Sequence, residues 1–183
     1  MKTRYSLVPL VLLATLLCNA TILRAQKAAE IDKKVTEATA KLYASTPAAQ
    51  KLSKTAKGIL VFPSVKKAGF VVGGQYGEGA LRVGGKTTGY YKTTAASFGL
   101  QAGGQKFGYA MFFMKDSDLE YLKKSDGWEV GVGPSIVVVD EGAARALTTS
   151  TAKEGIYVFF FSQKGLMAGL GIQGSKISEF KPK

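Results

Sequence analysis

From Lys27 to Tyr43 the large apolar residues recur at three- and four-residue steps, at Ile31, Val35, Ala38 and Leu42, with charged and polar residues between them. That period predicts an amphipathic helix packed on the body of the protein. Thr46-Pro47 then reads as an N-cap followed by proline at the first helical position, opening a short helix from Pro47 to about Ala56. After Gly58 the period changes. Ile59 to Phe62 is a compact apolar run that Pro63 is expected to end. Phe70 to Gly77 and Gly79 to Val83 read as strand pieces around Gly77-Glu78-Gly79, and Gly84-Gly85 as a turn before a strand from Lys86 to Thr93.

The same reading continues toward the C-terminus. Ala96 to Gly103 and Tyr109 to Lys115 are predicted strands. Asp116 or Ser117 caps a helix through Lys124, with Leu119 and Leu122 facing inward. Trp128 to Val132, Ile136 to Val139, Ile156 to Ser162 and Leu166 to Ile172 follow as strands, the last two joined by a turn at Gln163-Lys164-Gly165. A final short strand spans Lys176 to Phe180. Adjacent apolar residues in Ile136–Val139 and Val158–Phe161 predict burial on both faces. The fold class is therefore α+β: an antiparallel multi-stranded sheet or partly closed β-barrel, with N-terminal helices and one inserted helix.

The start of the chain has another character. Lys2 and Arg4 precede an almost wholly apolar run from Tyr5 to Leu17, and small residues follow at Cys18-Asn-Ala20 and Leu23-Arg-Ala25. This is the layout of a secretory signal, expected to be cleaved near Ala25 or Ala20. The run is short for a spanning helix. Leu17, where a small residue would be needed, speaks against lipidation of Cys18. Residues 26–183 are then a single domain in an exported, periplasmic or envelope-associated protein.

Composition narrows the chemistry. There are no histidines, and the only cysteine, Cys18, lies in the segment expected to be removed. Histidine-based triads and Cys/His zinc sites are excluded. A carboxylate or lysine catalyst stays open, but the nearest acidic cluster, Asp116, Asp118 and Glu120, reads better as the charged first turn of a helix, so the expectation is a non-enzyme without metal or cofactor. The formal net charge is +12; cleavage after Ala25 removes Lys2, Arg4 and Arg24 and leaves +9. Between Ala38 and Lys115 eleven basic residues face a single acid, Glu78, whereas Asp116 to Lys183 is nearly balanced. So local an excess predicts a functional basic face.

Five lysines, Lys51, Lys54, Lys57, Lys66 and Lys67, flank Ile59–Phe62 with no acid among them. They are the first candidates for binding anionic headgroups, with Ile59–Phe62 assigned to the core. Arg82, Lys86 and Lys92 are secondary candidates. Gly73-Gly-Gln-Tyr-Gly-Glu-Gly79 lacks the lysine and hydroxyl of a P-loop, and its glycines read as bends in strands. The aromatic residues Tyr90, Tyr91, Phe98 and Trp128 read as core.

Six blocks together carry a resemblance. They are Ala56-Lys-Gly-Ile-Leu-Val-Phe-Pro63, Lys67-Ala-Gly-Phe-Val-Val-Gly-Gly-Gln-Tyr-Gly-Glu-Gly79, Gly89-Tyr-Tyr-Lys92, Ser97-Phe-Gly-Leu-Gln-Ala-Gly103, Gly127-Trp-Glu-Val-Gly-Val-Gly133 and Gln163-Lys-Gly-Leu-Met167. In this order and at these distances they resemble the SYLF family of lipid-binding domains, over roughly residues 28 to 180. The resemblance implies binding of anionic phospholipid, with phosphoinositide-like, phosphatidylglycerol or cardiolipin headgroups as the classes. It also includes secreted bacterial members. The expected partner is an anionic membrane and not nucleic acid, since export and the bias to lysine over arginine disfavour base readout. Protein partners are not specified. The alternatives are a carrier enclosing an apolar ligand in a β-barrel, or a basic nucleic-acid-binding protein.

Overall fold

The computed structural model describes residues 8–69, 72–98, 103–139, 155–165, 172 and 174–183. Its elements are α1 (Val8–Ser45), α2 (Pro47–Ser53), β1 (Gly58–Gly69), β2 (Val72–Val83), β3 (Lys86–Phe98), β4 (Gly103–Phe113), α3 (Asp116–Lys124), β5 (Trp128–Glu129), β6 (Ile136–Val139), β7 (Ile156–Gly165) and β8 (Lys176–Glu179). The strands form one curled sheet in the order β5-β8-β3-β2-β1-β4-β7-β6, a half-barrel with helices against it.

The two faces of the sheet are sorted by the two-residue period of its strands. On β4, Ala110 and Phe112, with Met114 just past its end, join the cluster under α1 and α2, whereas Phe107, Tyr109, Met111 and Phe113 point to the other, inner face. On β7, Tyr157, Phe159 and Phe161 alternate with Ile156 and Val158 in the same way. Ile31, Val35, Ala38 and Leu42 of α1 are all buried against the first face, as the period predicted. Burial of Ile31, Val35 and Leu42 contributes on the order of 2 kcal/mol each. Polar bonds fix the helix in place: Asp32 accepts from Thr87 Oγ1 at 2.7 Å and from the Tyr90 hydroxyl at 2.9 Å, and Arg82 donates to the Asp32 carbonyl at 3.1 Å.

Rings fill the inner face. Phe62 and Tyr109 lie 4.9 Å apart between centroids, Phe107 and Phe160 5.8 Å, and Phe113 and Trp128 6.4 Å. Glycines on β2 make room for them. A Cβ on Gly79 would strike the Val61 carbonyl and come within 2.8 Å of the Phe62 ring, so only glycine fits there. At Gly84 and Gly85 conformation is the requirement instead, with φ of 58° and 79° in the β2–β3 turn.

Several elements differ from the sequence expectation. Pro63 does not end β1; the strand continues to Gly69 through a bulge between Val61 and Ser64, where a missing N–H breaks no ladder bond. Gly77-Glu78-Gly79 lies within one continuous β2. Of the predicted strand Ala96–Gly103, Ala96–Phe98 ends β3 and Gly103 begins β4; residues 99–102 lie outside the described residues. Trp128–Val132 keeps only Trp128–Glu129 as strand, because Val132 turns back so that its carbonyl accepts from Trp128 Nε1 at 2.8 Å. Gln163–Gly165 belongs to β7. The predicted strand Leu166–Ile172 lies outside the described residues, Ile172 excepted.

Two further corrections concern β6 and the helix caps. β6 pairs with β7 in parallel, so the sheet is mixed, and as an edge strand β6 leaves Val137 and Val138 38% and 51% exposed instead of burying both faces. Thr46 sits at the N-cap of α2 with Pro47 opening the helix, as expected, but without a side-chain capping bond; at α3 the N-cap is Lys115 and not Asp116 or Ser117.

Candidate functional site: a row of lysines across the sheet

The five first-choice lysines do not form one patch. Lys51 on α2, with Lys54 and Lys57 after it, stands at the Gly58 end of β1, and Lys66 and Lys67 stand near the Gly69 end. At ~3.3 Å per residue, Lys57 and Lys66 are up to about 30 Å apart. Lys57 is ion-paired with Asp116 at 3.5 Å. Lys66 and Lys67 are sequence neighbours on a strand and so point to opposite faces.

The secondary candidates are also divided. Arg82 is drawn toward α1, donating to Thr36 Oγ1 at 2.7 Å and to the Asp32 carbonyl. Lys86 is exposed beside the β2–β3 turn, and Lys92 stands opposite Glu78.

Register assembles a different group. Lys66 of β1 is the cross-strand partner of Lys106 on β4, and Lys106 is the partner of Lys164 on β7. On the other side Lys66 faces Tyr76 of β2, which faces Thr94 of β3, which faces Lys176 of β8. Four lysines and a tyrosine thus lie in one row on the α1 side of the sheet. Lys66, Lys106, Lys164 and Lys176 are all exposed, and half of Tyr76 is exposed.

Directly opposed residues place their Cβ atoms ~5 Å apart. The ammonium groups at the ends of these exposed, flexible stems can splay further apart than their Cβ atoms, so their mutual repulsion in water is weak but unfavourable. Among the described residues no carboxylate lies within ion-pair distance of Lys66, Lys106 or Lys164. An anion arriving on the row would relieve the repulsion.

Beside Lys66 a cleft of about 260 Å³ opens between α1 and the β1–β2 hairpin, lined in part by Lys27, Glu30, Lys34, Lys66, Tyr76 and Glu78. Glu78 is ion-paired with Lys27 at 3.2 Å and accepts from the Tyr76 hydroxyl at 2.8 Å. Partial desolvation first, and the Glu78 hydrogen bond and charge second, push that hydroxyl up to about 12. Lys34 is paired with Glu30 one turn before it on α1, which holds the Glu30 carboxyl below its ordinary range.

Sequence reasoning named Lys66 but not its row partners. Lys106 was counted in the basic stretch, and Lys164 lies in the balanced half of the chain. Their shared signal is strand pairing, which no local window contains. Among the described residues no group of histidine, cysteine and acid side chains could hold a metal ion, and no helix is long and apolar enough to cross a membrane.

With this geometry in hand, the comparison with known families is informative. Residues 94–182 match the family described as Ysc84: Las17-binding protein actin regulator. That match agrees with the resemblance to SYLF domains carried by the sequence blocks. The matched segment supplies Lys106, Lys164 and Lys176, three of the four lysines in the row. SYLF domains are a family of binding domains associated with lipid- and actin-related binding. No curated protein matches the chain.

Proposed function

We propose that this protein binds anionic phospholipid at a membrane surface, with Lys66, Lys106 and Lys164 as the central contacts and phosphatidylglycerol or cardiolipin as the headgroup class. The observation that carries the reading is the row itself: three exposed lysines, opposite one another on adjacent strands and without carboxylate partners among the described residues. Cationic side chains near an anionic bilayer contribute about 1 kcal/mol each. Tyr76, half exposed in the same row, adds a ring suited to the interfacial layer. The inner face of the half-barrel is occupied by packed rings, which favours surface adhesion over the enclosed-ligand alternative. Export by an N-terminal signal, with action at the cell envelope, is part of the same proposal.

Vesicle co-sedimentation tests it. Phosphatidylglycerol or cardiolipin vesicles should bind the protein, neutral phosphatidylcholine should not, and salt should weaken the binding. The variant K66Q/K106Q/K164Q should lose about 3 kcal/mol, a factor of ~150 in affinity. The variant K51Q/K54Q/K57Q should lose much less. Equal losses in the two variants, or equal binding to neutral vesicles, would sink the reading.

A further inference from the structure

Glu78 is the one acid between Ala38 and Lys115, and its position on β2 is a particular one. One carboxylate oxygen meets Lys27 of α1 and the other takes the Tyr76 hydroxyl. Lys92 stands opposite it on β3. Tyr76, two residues away on the same face, is the row neighbour of Lys66. Three lysines of the cleft, Lys27, Lys34 and Lys66, therefore meet two carboxylates, and Lys66 alone has no carboxylate partner among the described residues. Glu30 pairs with its neighbour on the same helix, but Glu78 reaches from the sheet to a different element.

We propose that Glu78 is an internal counter-ion that occupies Lys27 in competition with the anionic ligand, and so sets the surface charge density at which the protein adheres. The inference rests on the phospholipid reading above and concerns the regulation of that site. A carboxylate tethered 3.2 Å from Lys27 competes with any phosphate for the same ammonium group. A sparsely charged surface leaves the pair intact and meets only the lysine row. A densely charged one draws Lys27 away from Glu78 and adds it to the contact.

The test is co-sedimentation with phosphatidylcholine vesicles containing increasing fractions of phosphatidylglycerol. Glu78→Gln should bind about fivefold more tightly at a given fraction, the effect of one additional lysine. Glu78→Asp keeps the net charge but withdraws the carboxylate by one methylene; it should show part of that gain. Asp126→Asn makes the same charge change at an exposed site outside the cleft and should stay near wild type. The double variant K27Q/E78Q should return to the wild-type level, because the gain is routed through Lys27. Melting temperatures confirm that the variants are folded.

Three results would overturn the proposal: Glu78→Gln binding like wild type, Asp126→Asn matching its gain, or K27Q/E78Q keeping the gain. Row-dependent binding with an unresponsive Glu78 overturns the counter-ion alone. Failure of wild type and Glu78→Gln alike to bind anionic vesicles overturns the phospholipid reading and this inference with it.

Discussion

Removing the Asp32 carboxylate should loosen α1 from the sheet. Asp32 accepts two side-chain hydrogen bonds from β3, from Thr87 and from Tyr90. Hydrogen bonds to a charged group contribute about 1.5–3 kcal/mol each, and the lower end applies at this partly buried position. Asp32→Ala removes both acceptors and should cost about 3 kcal/mol. Asp32→Asn keeps one carbonyl oxygen and should cost about half as much. In a chain of this size each kcal/mol lowers the melting temperature by about 2–4 °C, so Asp32→Ala should melt roughly 6–12 °C lower. Thermal melts followed by circular dichroism measure the shift, and amide exchange along α1 shows whether the loss is local to that helix. An Asp32→Ala protein within about 0.5 kcal/mol of wild type would refute the reasoning, since that is the scatter of neutral surface changes.

Two more predictions concern the sheet. Gly79→Ala drives a Cβ into the Val61 carbonyl, a backbone atom that cannot rotate aside, and should cost about 3 kcal/mol by urea unfolding followed through the single, buried Trp128. Gly74→Ala, whose added Cβ meets only the Ala95 carbonyl at 3.9 Å, should be tolerated. Equal costs would remove the steric account of Gly79. Stability should also fall as pH rises from 10 toward 12. Desolvation pushes Tyr90 and Tyr91 up to about 12 and Tyr109 higher still, with Asp32 adding to the shift at Tyr90 and Glu179 at Tyr91. The unfolded chain therefore loses these protons first; the tyrosine contribution is complete below pH 10 and is lost as pH climbs through the folded values. A denaturation midpoint that stays flat across that window would contradict it.

What the sequence revealed was whatever is local. The buried stripe of α1, the Gly84-Gly85 turn and the inward Leu119 and Leu122 each depend on spacing within a few residues, and each is found as expected. Long-range pairing was not legible. Lys51 to Lys67 looks like one cluster on paper, but most of it lies along a strand, where chain neighbours separate by ~3.3 Å per residue and alternate in direction. Lys66, Lys106 and Lys164 are distant in the chain and meet only through register. Ile136–Val139 shows the converse: its apolar run is the same whether the strand is central or at an edge, and only the sheet order tells that it is an edge. Pro63 reads as a stop because a bulge has no signature of its own in one sequence.

The sheet order has a bearing on where the unit begins. The segment matched to the family starts inside β3 and ends at Pro182, yet its strands are not contiguous in the sheet. Its strands lie in two groups, β5-β8-β3 on one flank and β4-β7-β6 on the other, and the β1–β2 hairpin between them belongs to the preceding part of the chain. A fragment cut at residue 94 would hold two half-sheets with their central seam missing, Lys66 and Glu78 gone, and new raw edges on β3 and β4. The cooperative unit of this fold therefore extends at least back to Gly58, and the hairpin acts as the keystone between two flanks that share no strand pairing with each other.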